Sequence, residues 1–204
     1  MNKNIKNIVF DLGGVLLNLD FPKAIEAFEK VGITNVNKRI RANEENNLFQ
    51  QFEKGTISAA QFRDAIRKEA NQPLTDEEID ALWNSMLLDI PRAKLELILE
   101  LRGQYMVYLL SNTNEIHWKL VHENSFNLNG FRAHDYFDEI YLSYQMHLSK
   151  PDPEIFKKMM YEANILPEET FFIDDSEENC RAAEALGIHT YHYHTGEDLE
   201  VLFE

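Results

Sequence analysis

Acidic and polar residues follow three apolar runs of strand length in this 204-residue chain. In chain order they are Asp11, Ser111, Asn112, Asp174 and Asp175. A basic residue, Lys150, stands before Pro151 in a connection that leads into a predicted helix. Clustered carboxylates suit a hard cation bound through oxygen, most often Mg²⁺. A hydroxyl and an ammonium group suit phosphate oxygens, so these residue types indicate a site for a cation and a phosphate.

Asp11 is the residue on which the rest of this pattern depends. It ends an apolar run, residues 8–10, and Gly13 and Gly14 follow it, which is typical of a buried strand that ends in a sharp turn. In open α/β sheets, ligands bind at the carboxyl edge of the strands. A carboxylate there can be a nucleophile, a metal ligand or a polar cap on the turn, and this stretch alone leaves all three open.

Each polar group also has an ordinary structural explanation. Ser111 and Asn112 could cap the start of a helix, and Asp174 with Asp175 could do the same for the helix that follows them. Lys150 before a proline could simply be solvated. The carboxyl ends of parallel strands share one edge of the sheet. The recurrence of such groups at successive strand ends therefore favours one shared site.

The order of the apolar runs predicts an α/β fold. The expected strands cover residues 8–10, 106–110, 139–142, 170–173 and 188–193. Helical patterns separate the later strands from one another. Strands that alternate with helices imply a doubly wound parallel sheet of the Rossmann-like type, with right-handed crossovers.

Four helical patterns follow the first strand without another strand between them. The second of these helices is expected from about Val36 to near Gly55, and capping boxes at Ser58 and Thr75 start the third and fourth. Such a series predicts a compact helical bundle inserted into the sheet domain. The expected domains are an α/β core of residues 1–15 and 90–204 and an inserted helical domain of residues 16–89.

Composition narrows the possible partners. The formal net charge of −15 disfavours nucleic acid and anionic membrane surfaces, because both would be repelled. An anionic ligand would need a metal ion or a well-placed lysine to overcome the same field. Cys180, the single cysteine, cannot form an internal disulfide, and its helical setting favours a buried thiol. The sequence shows no apolar leader and no run long enough to cross a bilayer, so we expect a cytoplasmic protein.

Four ordered segments resemble the motifs of the haloacid dehalogenase-like hydrolase superfamily. They are residues 10–15, 110–113, 150–151 and 172–175. The helical insertion is similar to the cap of the subclass I members. Residues 11–14, 52–58 and 111–114 look like the bacterial sugar-phosphatase subgroup that includes α-D-glucose-1-phosphatase. The N-terminal phosphatase domain of soluble epoxide hydrolase is a more distant resemblance.

The resemblance implies a Mg²⁺-dependent phosphatase for a small phosphorylated metabolite, such as a hexose 1-phosphate or another sugar phosphate. Asp11 would attack phosphorus and form an aspartyl-phosphate, which splits one hard step into two. The implied metal ligands are Asp11, the backbone carbonyl of Gly13, Asp175 and, directly or through water, Asp174. The implied phosphate-binding residues are Ser111, Asn112 and Lys150.

One position departs from the family pattern. The family usually has a second aspartate two residues after the nucleophile, where it serves as general acid and base, but this chain has Gly13. Loss of such a group typically costs on the order of 10²–10⁴ in rate. Good leaving groups, as in sugar 1-phosphates, need less protonation, and this is the favoured explanation. Alternatively, Asp20, Glu44 or Glu45 could substitute for the missing carboxylate.

Two other functions stay open from the sequence. A haloacid dehalogenase would use the same nucleophile without a metal, but the pair Asp174 and Asp175 argues against it, since two acids near a departing halide need a cation between them. A weakly catalytic protein that binds a phosphometabolite or has a regulatory role is the second alternative, and Gly13 is the reason to consider it.

Overall fold

The computed structural model of the chain describes residues 4–41 and 47–203. Within these residues one sheet has five strands, all parallel, in the order β3-β2-β1-β4-β5. They are β1 (Asn7–Phe10), β2 (Met106–Ser111), β3 (Glu139–Leu142), β4 (Thr170–Asp174) and β5 (His189–His192). The predicted doubly wound parallel sheet is therefore confirmed, and β1 lies at its centre.

Helices cover both faces of the sheet, which explains why β1 is apolar without alternation. Phe10 packs into the core on one face, and Val9 packs into a separate core on the other. The insertion between β1 and β2 contains α1 (Phe21–Lys30), α2 (Val36–Arg41), α3 (Leu48–Glu53), α4 (Ala59–Glu69) and α5 (Asp76–Asn84). The later helices are α6 (Arg92–Leu101), α7 (Glu115–Asn124), α8 (Ala133–Tyr136), α9 (Ser143–Met146), α10 (Pro153–Ala163) and α11 (Glu177–Glu184). Short 3₁₀ helices span Leu128–Gly130, Pro167–Glu169 and Glu200–Leu202.

The second predicted helix of the insertion is divided into α2 and α3. Residues 42–46 between them lie outside the described residues. Asn47 starts α3, because its side chain accepts a hydrogen bond from the backbone N–H of Phe49 at 3.1 Å. Both predicted capping boxes, at Ser58 and Thr75, are present.

The insertion has an aromatic core of its own. Phe28, Phe49, Phe62 and Trp83 are at most 1% exposed, and their rings lie 5.0–6.1 Å apart in the pairs that touch. Such pairs contribute about 0.5–1.5 kcal/mol each beyond their burial. Within the described residues, no helix is long and apolar enough to cross a membrane.

The end of α3 docks on the sheet domain through its backbone. Gly55 has a φ of +62° and Thr56 N–H donates to the carbonyl of Gln51 at 2.9 Å, which closes the helix in a Schellman motif. A Cβ on Gly55 would overlap the backbone carbonyl of Tyr144 in α9. Glycine is therefore needed here both for the left-handed turn and for the close approach of two backbones.

We expect Gly55→Ala to destabilise the fold more than Gly130→Ala. Both residues have positive φ, but a Cβ on Gly130 would meet nothing within 4 Å. Gly130→Ala should cost about 1–2 kcal/mol for the left-handed backbone. Gly55→Ala should add about 1–3 kcal/mol for overpacking. Urea unfolding measures both, and equal losses would contradict the close approach of residue 55 to α9.

Candidate active site

Asp11 lies at the carboxyl edge of the sheet, directly after the central strand. Its backbone N–H donates to the carbonyl of Ile173 at 2.9 Å, which continues the ladder between β1 and β4 by one residue. The residue is buried, with 7% of its surface exposed. The turn that follows requires glycine at position 14, because its φ is +80° and a Cβ there would overlap the carboxylate of Asp175.

Lys150 lies in the connection between α9 and α10 and places a positive charge at this edge of the sheet. Its side chain is 1% exposed, and its ammonium group lies 2.8 Å from Asp11 Oδ1 and 2.6 Å from Asp174 Oδ2. A third contact, with the carbonyl of Leu110, is 2.9 Å long. A lysine ammonium has three donors. These three acceptors match them, so burial leaves none unsatisfied.

Asn112 holds the backbone of Lys150 in place. Its Oδ1 accepts from the Lys150 N–H at 2.9 Å, and its Nδ2 donates to the Lys150 carbonyl at 2.8 Å. The predicted phosphate contact of Asn112 stays a prediction. The geometry gives this amide a positioning task, with one N–H left for another acceptor.

The two acids after β4 have different surroundings. Asp174 is fully buried, and besides Lys150 it accepts from the Ser176 N–H at 2.8 Å and from Asn179 Nδ2 at 2.9 Å. Both of its oxygens are therefore already occupied by donors. Asp175 is more exposed and faces Gly14. Asp175 is thus the better placed of the two to bind a cation directly.

Asp11, Asp174 and Asp175 form a cluster suited to a cation. One oxygen from each lies within 4.8 Å of the others. Opposite ligands of Mg²⁺ are about 4 Å apart, because each bond is about 2.0–2.1 Å long. Three carboxylates against one ammonium leave two negative charges, and this hard oxygen set fits a divalent cation.

Burial and charge act against each other in this cluster. The pKa of Asp11 is raised to about 7, mainly because the group is buried; Lys150 lowers it, whereas Asp174 and Asp175 raise it. Burial alone would lower the pKa of Lys150, but its two ion pairs outweigh burial and the pKa is raised. Burial, followed by Asp174, also raises the pKa of Asp175. A cation among the three acids would favour their ionised forms.

The space beside Gly13 is partly filled by Leu19. A Cβ on Gly13 would lie 3.0 Å from Leu19 Cδ1. Position 13 has no carboxylate, and a methyl group of Leu19 lies close to where a side chain at this position would begin. Asp20, one suggested substitute, accepts from the Lys23 N–H at 3.2 Å and caps α1. The other two, Glu44 and Glu45, lie outside the described residues.

Two cavities open at this edge of the sheet. The outer cavity, of about 290 Å³, is lined by Asn112, Lys150 and Asp152 among others. The inner cavity, of about 90 Å³, is lined by Gly13 and Ser111 and otherwise mostly by apolar side chains. Glu53, the last residue of α3, lines both cavities. The predicted phosphate-binding residues Ser111 and Lys150 thus border cavities that share one wall.

Glu53 and Ser143 are two residues that the sequence did not single out for this site. Glu53 stands four residues after the buried Phe49, so a charged residue falls on the apolar face of a helix, and this is the signal that could have revealed it. Ser143, the first residue of α9 directly after β3, has no such local signal. Its hydroxyl lies 2.6 Å from the Glu53 carbonyl and accepts from the Thr113 N–H at 2.9 Å, which ties the insertion to the sheet edge.

The sheet, the helical insertion and the acidic edge define an α/β enzyme of the Rossmann-like type. Residues 5–187 match the family described as haloacid dehalogenase-like hydrolase. The chain belongs to this family, and it is a hydrolase.

Individual relatives cover almost the whole chain. D-ribitol-5-phosphate phosphatase of Bacteroides thetaiotaomicron is 39% identical over 95% of this chain and 94% of its own. The crystal structure of an HAD family enzyme from the same species, in complex with magnesium and inorganic phosphate, is 52% identical with a TM-score of 0.93. It covers 98% of this chain and 100% of that chain. A predicted HAD-like family hydrolase from Porphyromonas gingivalis is 34% identical with a TM-score of 0.89 over 98% of this chain and 96% of its own.

Proposed function

We propose that this hydrolase is a Mg²⁺-dependent phosphatase that cleaves a small phosphomonoester through an aspartyl-phosphate on Asp11. The observation that carries the proposal is the cluster in which Lys150 lies 2.8 Å from Asp11 while Asp174 and Asp175 complete an acidic group beside it. The substrate class is a sugar or sugar-alcohol phosphate. Hexose 1-phosphates and ribitol 5-phosphate are the members to test first, because the sequence motifs point to the former and a relative is named for the latter.

The metal site consists of Asp11, the backbone carbonyl of Gly13 and Asp175. Asp174 stands behind them, because its oxygens accept from Lys150, Ser176 and Asn179. When bound, Mg²⁺ neutralises the transferring phosphoryl group and sets its geometry. Such an ion would also supply local positive charge for an anionic substrate in a chain whose net charge is −15.

Asp11 attacks phosphorus, and the surrounding residues keep it ready for this step. Lys150 holds one carboxylate oxygen, Oδ1, so that the other can face the substrate. The phosphate oxygens are received by Ser111 Oγ and the remaining N–H of the Asn112 amide. The Lys150 ammonium, whose three donors are held by Asp11, Asp174 and the Leu110 carbonyl, contributes its positive charge to phosphate binding. Water then releases phosphate from Asp11, which restores the carboxylate.

The proposal extends to the domains and the location of the protein. Residues 1–15 and 90–204 form the catalytic core, and residues 16–89 form a cap. Closure of such a cap over the sheet edge excludes water and selects the substrate. A cytoplasmic location agrees with the one thiol, Cys180, which is free and buried.

We expect phosphate release to require Mg²⁺. Removal of the ion by EDTA should lower the rate by at least about 10², since a metal ion supplies several kcal/mol of transition-state stabilisation. The assay measures inorganic phosphate released from a panel of sugar and sugar-alcohol phosphates. Added Mg²⁺ should restore the rate. Release that is indifferent to the chelator would rule out the metal site, and binding of the panel without release would favour a regulatory protein.

A further inference from the structure

We propose that Glu53 is the acid–base catalyst of this hydrolase and replaces the carboxylate that Gly13 lacks. Its carboxyl group protonates the leaving-group oxygen in the first half-reaction and accepts a proton from water in the second. The inference rests on the proposed phosphatase function, because it assigns a further residue to that same site.

The position of Glu53 is the first observation. Among the described residues of α3, Glu53 alone lines both cavities. It lines the outer cavity together with Lys150 and the inner cavity together with Gly13. Glu53 thus borders the two cavities from the side of the insertion. The family aspartate would have reached the same space from the sheet, where Leu19 Cδ1 now lies 3.0 Å from the place of a Cβ on Gly13.

The backbone around Glu53 is held rigidly against the sheet domain. Its carbonyl lies 2.6 Å from Ser143 Oγ, and that hydroxyl accepts from Thr113 N–H at 2.9 Å, two residues after Ser111. The next carbonyl, of Lys54, lies 3.1 Å from His147 Nδ1. A catalytic group must be held close to its productive geometry by such supporting contacts. The insertion is therefore hydrogen-bonded to the core at the residue that supplies the carboxyl group.

The surroundings of Glu53 suit both proton transfers. Burial raises its pKa to about 7, so that both protonation states are populated near neutral pH. A catalytic acid or base works best with a pKa near the operating pH. His117, which lines the inner cavity, is a poorer candidate, because burial lowers its pKa to about 4 and its Nε2 lies 3.1 Å from the carbonyl of Trp83.

The two steps balance in atoms and protons. In the first, the bond from Asp11 to phosphorus forms, the ester bond from phosphorus to the leaving oxygen breaks, and the Glu53 proton goes to that oxygen. An alcohol leaves, and Glu53 becomes a carboxylate. In the second, the oxygen of water bonds to phosphorus, the bond to Asp11 breaks, and the proton of water returns to Glu53.

The test compares Glu53→Gln with wild type on two substrates in saturating Mg²⁺. Hydrolysis of ribitol 5-phosphate releases a primary alcohol, which is a poor leaving group, so its kcat/KM should fall by about 10²–10⁴. p-Nitrophenyl phosphate releases a good leaving group without a proton, so its kcat/KM should change by less than about tenfold. Its second step still needs the base, so rapid mixing should show a burst of about one equivalent of nitrophenol as the aspartyl-phosphate accumulates.

Controls separate this inference from folding and from the proposed function. Glutamine keeps the volume of glutamate and removes an ionisable group from a half-buried position, so we expect the variant to fold. Glu29→Gln changes an exposed glutamate on α1 and should behave as wild type on both substrates. Equal losses on both substrates without a burst, or no loss on either, would overturn the role of Glu53. Failure of wild type to release phosphate from either substrate would instead overturn the phosphatase function.

Discussion

Asp11→Asn should abolish phosphate release while the protein stays folded. The amide is a much poorer nucleophile than the carboxylate and cannot form the aspartyl-phosphate, so we expect kcat to fall by on the order of 10⁴ or more. The fold should persist because asparagine has the same size and its Oδ1 can still accept from Lys150, which lies 2.8 Å from this oxygen in the wild-type protein. Single-turnover assays with a labelled sugar phosphate measure the loss directly.

The same substitution should raise the stability of the metal-free protein at neutral pH. In the folded state the pKa of Asp11 is raised from 3.8 to about 7, mainly by burial, so the folded state binds this proton more tightly than the unfolded chain. The free energy of unfolding therefore falls as pH rises from about 4 to about 7. Asp11→Asn cannot lose stability in this way. The amount by which its free energy of unfolding exceeds that of wild type should therefore grow from about pH 4 to about pH 7.

Urea unfolding in EDTA at several pH values tests this second effect. A variant that is less stable than wild type at pH 8 would mean that the carboxylate is favourably placed without a metal. Phosphate release at the wild-type rate would mean that another residue carries the nucleophilic step. The two measurements thus separate the electrostatics of the cluster from its chemistry.

Lys150→Met should destabilise the protein strongly and also remove activity. The substitution deletes the ammonium that lies 2.8 Å from Asp11 and 2.6 Å from Asp174, and methionine fills a similar volume without charge. Breaking a buried ion pair by removing one partner costs about 3–5 kcal/mol, because the other charge stays buried without compensation. We therefore expect a lower urea midpoint in metal-free protein, with partial recovery in Mg²⁺.

The matched control for this variant is Lys157→Met on α10. Lys157 pairs with Glu154 at 2.7 Å, but the side chains are 52% and 61% exposed. Exposed pairs contribute about 0–1 kcal/mol, so this variant should be close to wild type. The loss in Lys150→Met should shrink at acidic pH, where the remaining carboxyl groups can take up protons. Equal midpoints for the two lysine variants would contradict the paired state of Lys150.

The sequence predicted well those features that depend on neighbouring residues. The capping boxes at Ser58 and Thr75 were expected from a serine or threonine followed three residues later by a glutamine or glutamate, and both are present. The apolar run before Asp11 indicated a buried strand, and β1 is buried with a neighbouring strand on each side. The single long helix expected from about Val36 to near Gly55 was wrong, because a periodic apolar pattern does not reveal that Asn47 starts a new helix.

The sequence could not assign the partners of the polar site residues. The amide of Asn112 bonds the backbone of Lys150, 38 residues later, a contact that the sequence did not indicate, and its phosphate contact stays a prediction. Asp20 was one suggested substitute acid, but it caps α1. A side chain with several possible partners takes those that the fold brings within hydrogen-bond distance, and chain spacing does not contain that information.

By itself, the sequence determined the sheet, the chemical types at its edge and the absence of a carboxylate at Gly13, because each is written in a local pattern of residues. Only the tertiary structure decided how the ammonium of Lys150 is shared between Asp11 and Asp174 and where Glu53 lies. Both features depend on how segments that are far apart in the chain pack against one another. Burial also sets the pKa of Glu53, so its chemical role depends on the fold that packs α3 against the sheet edge.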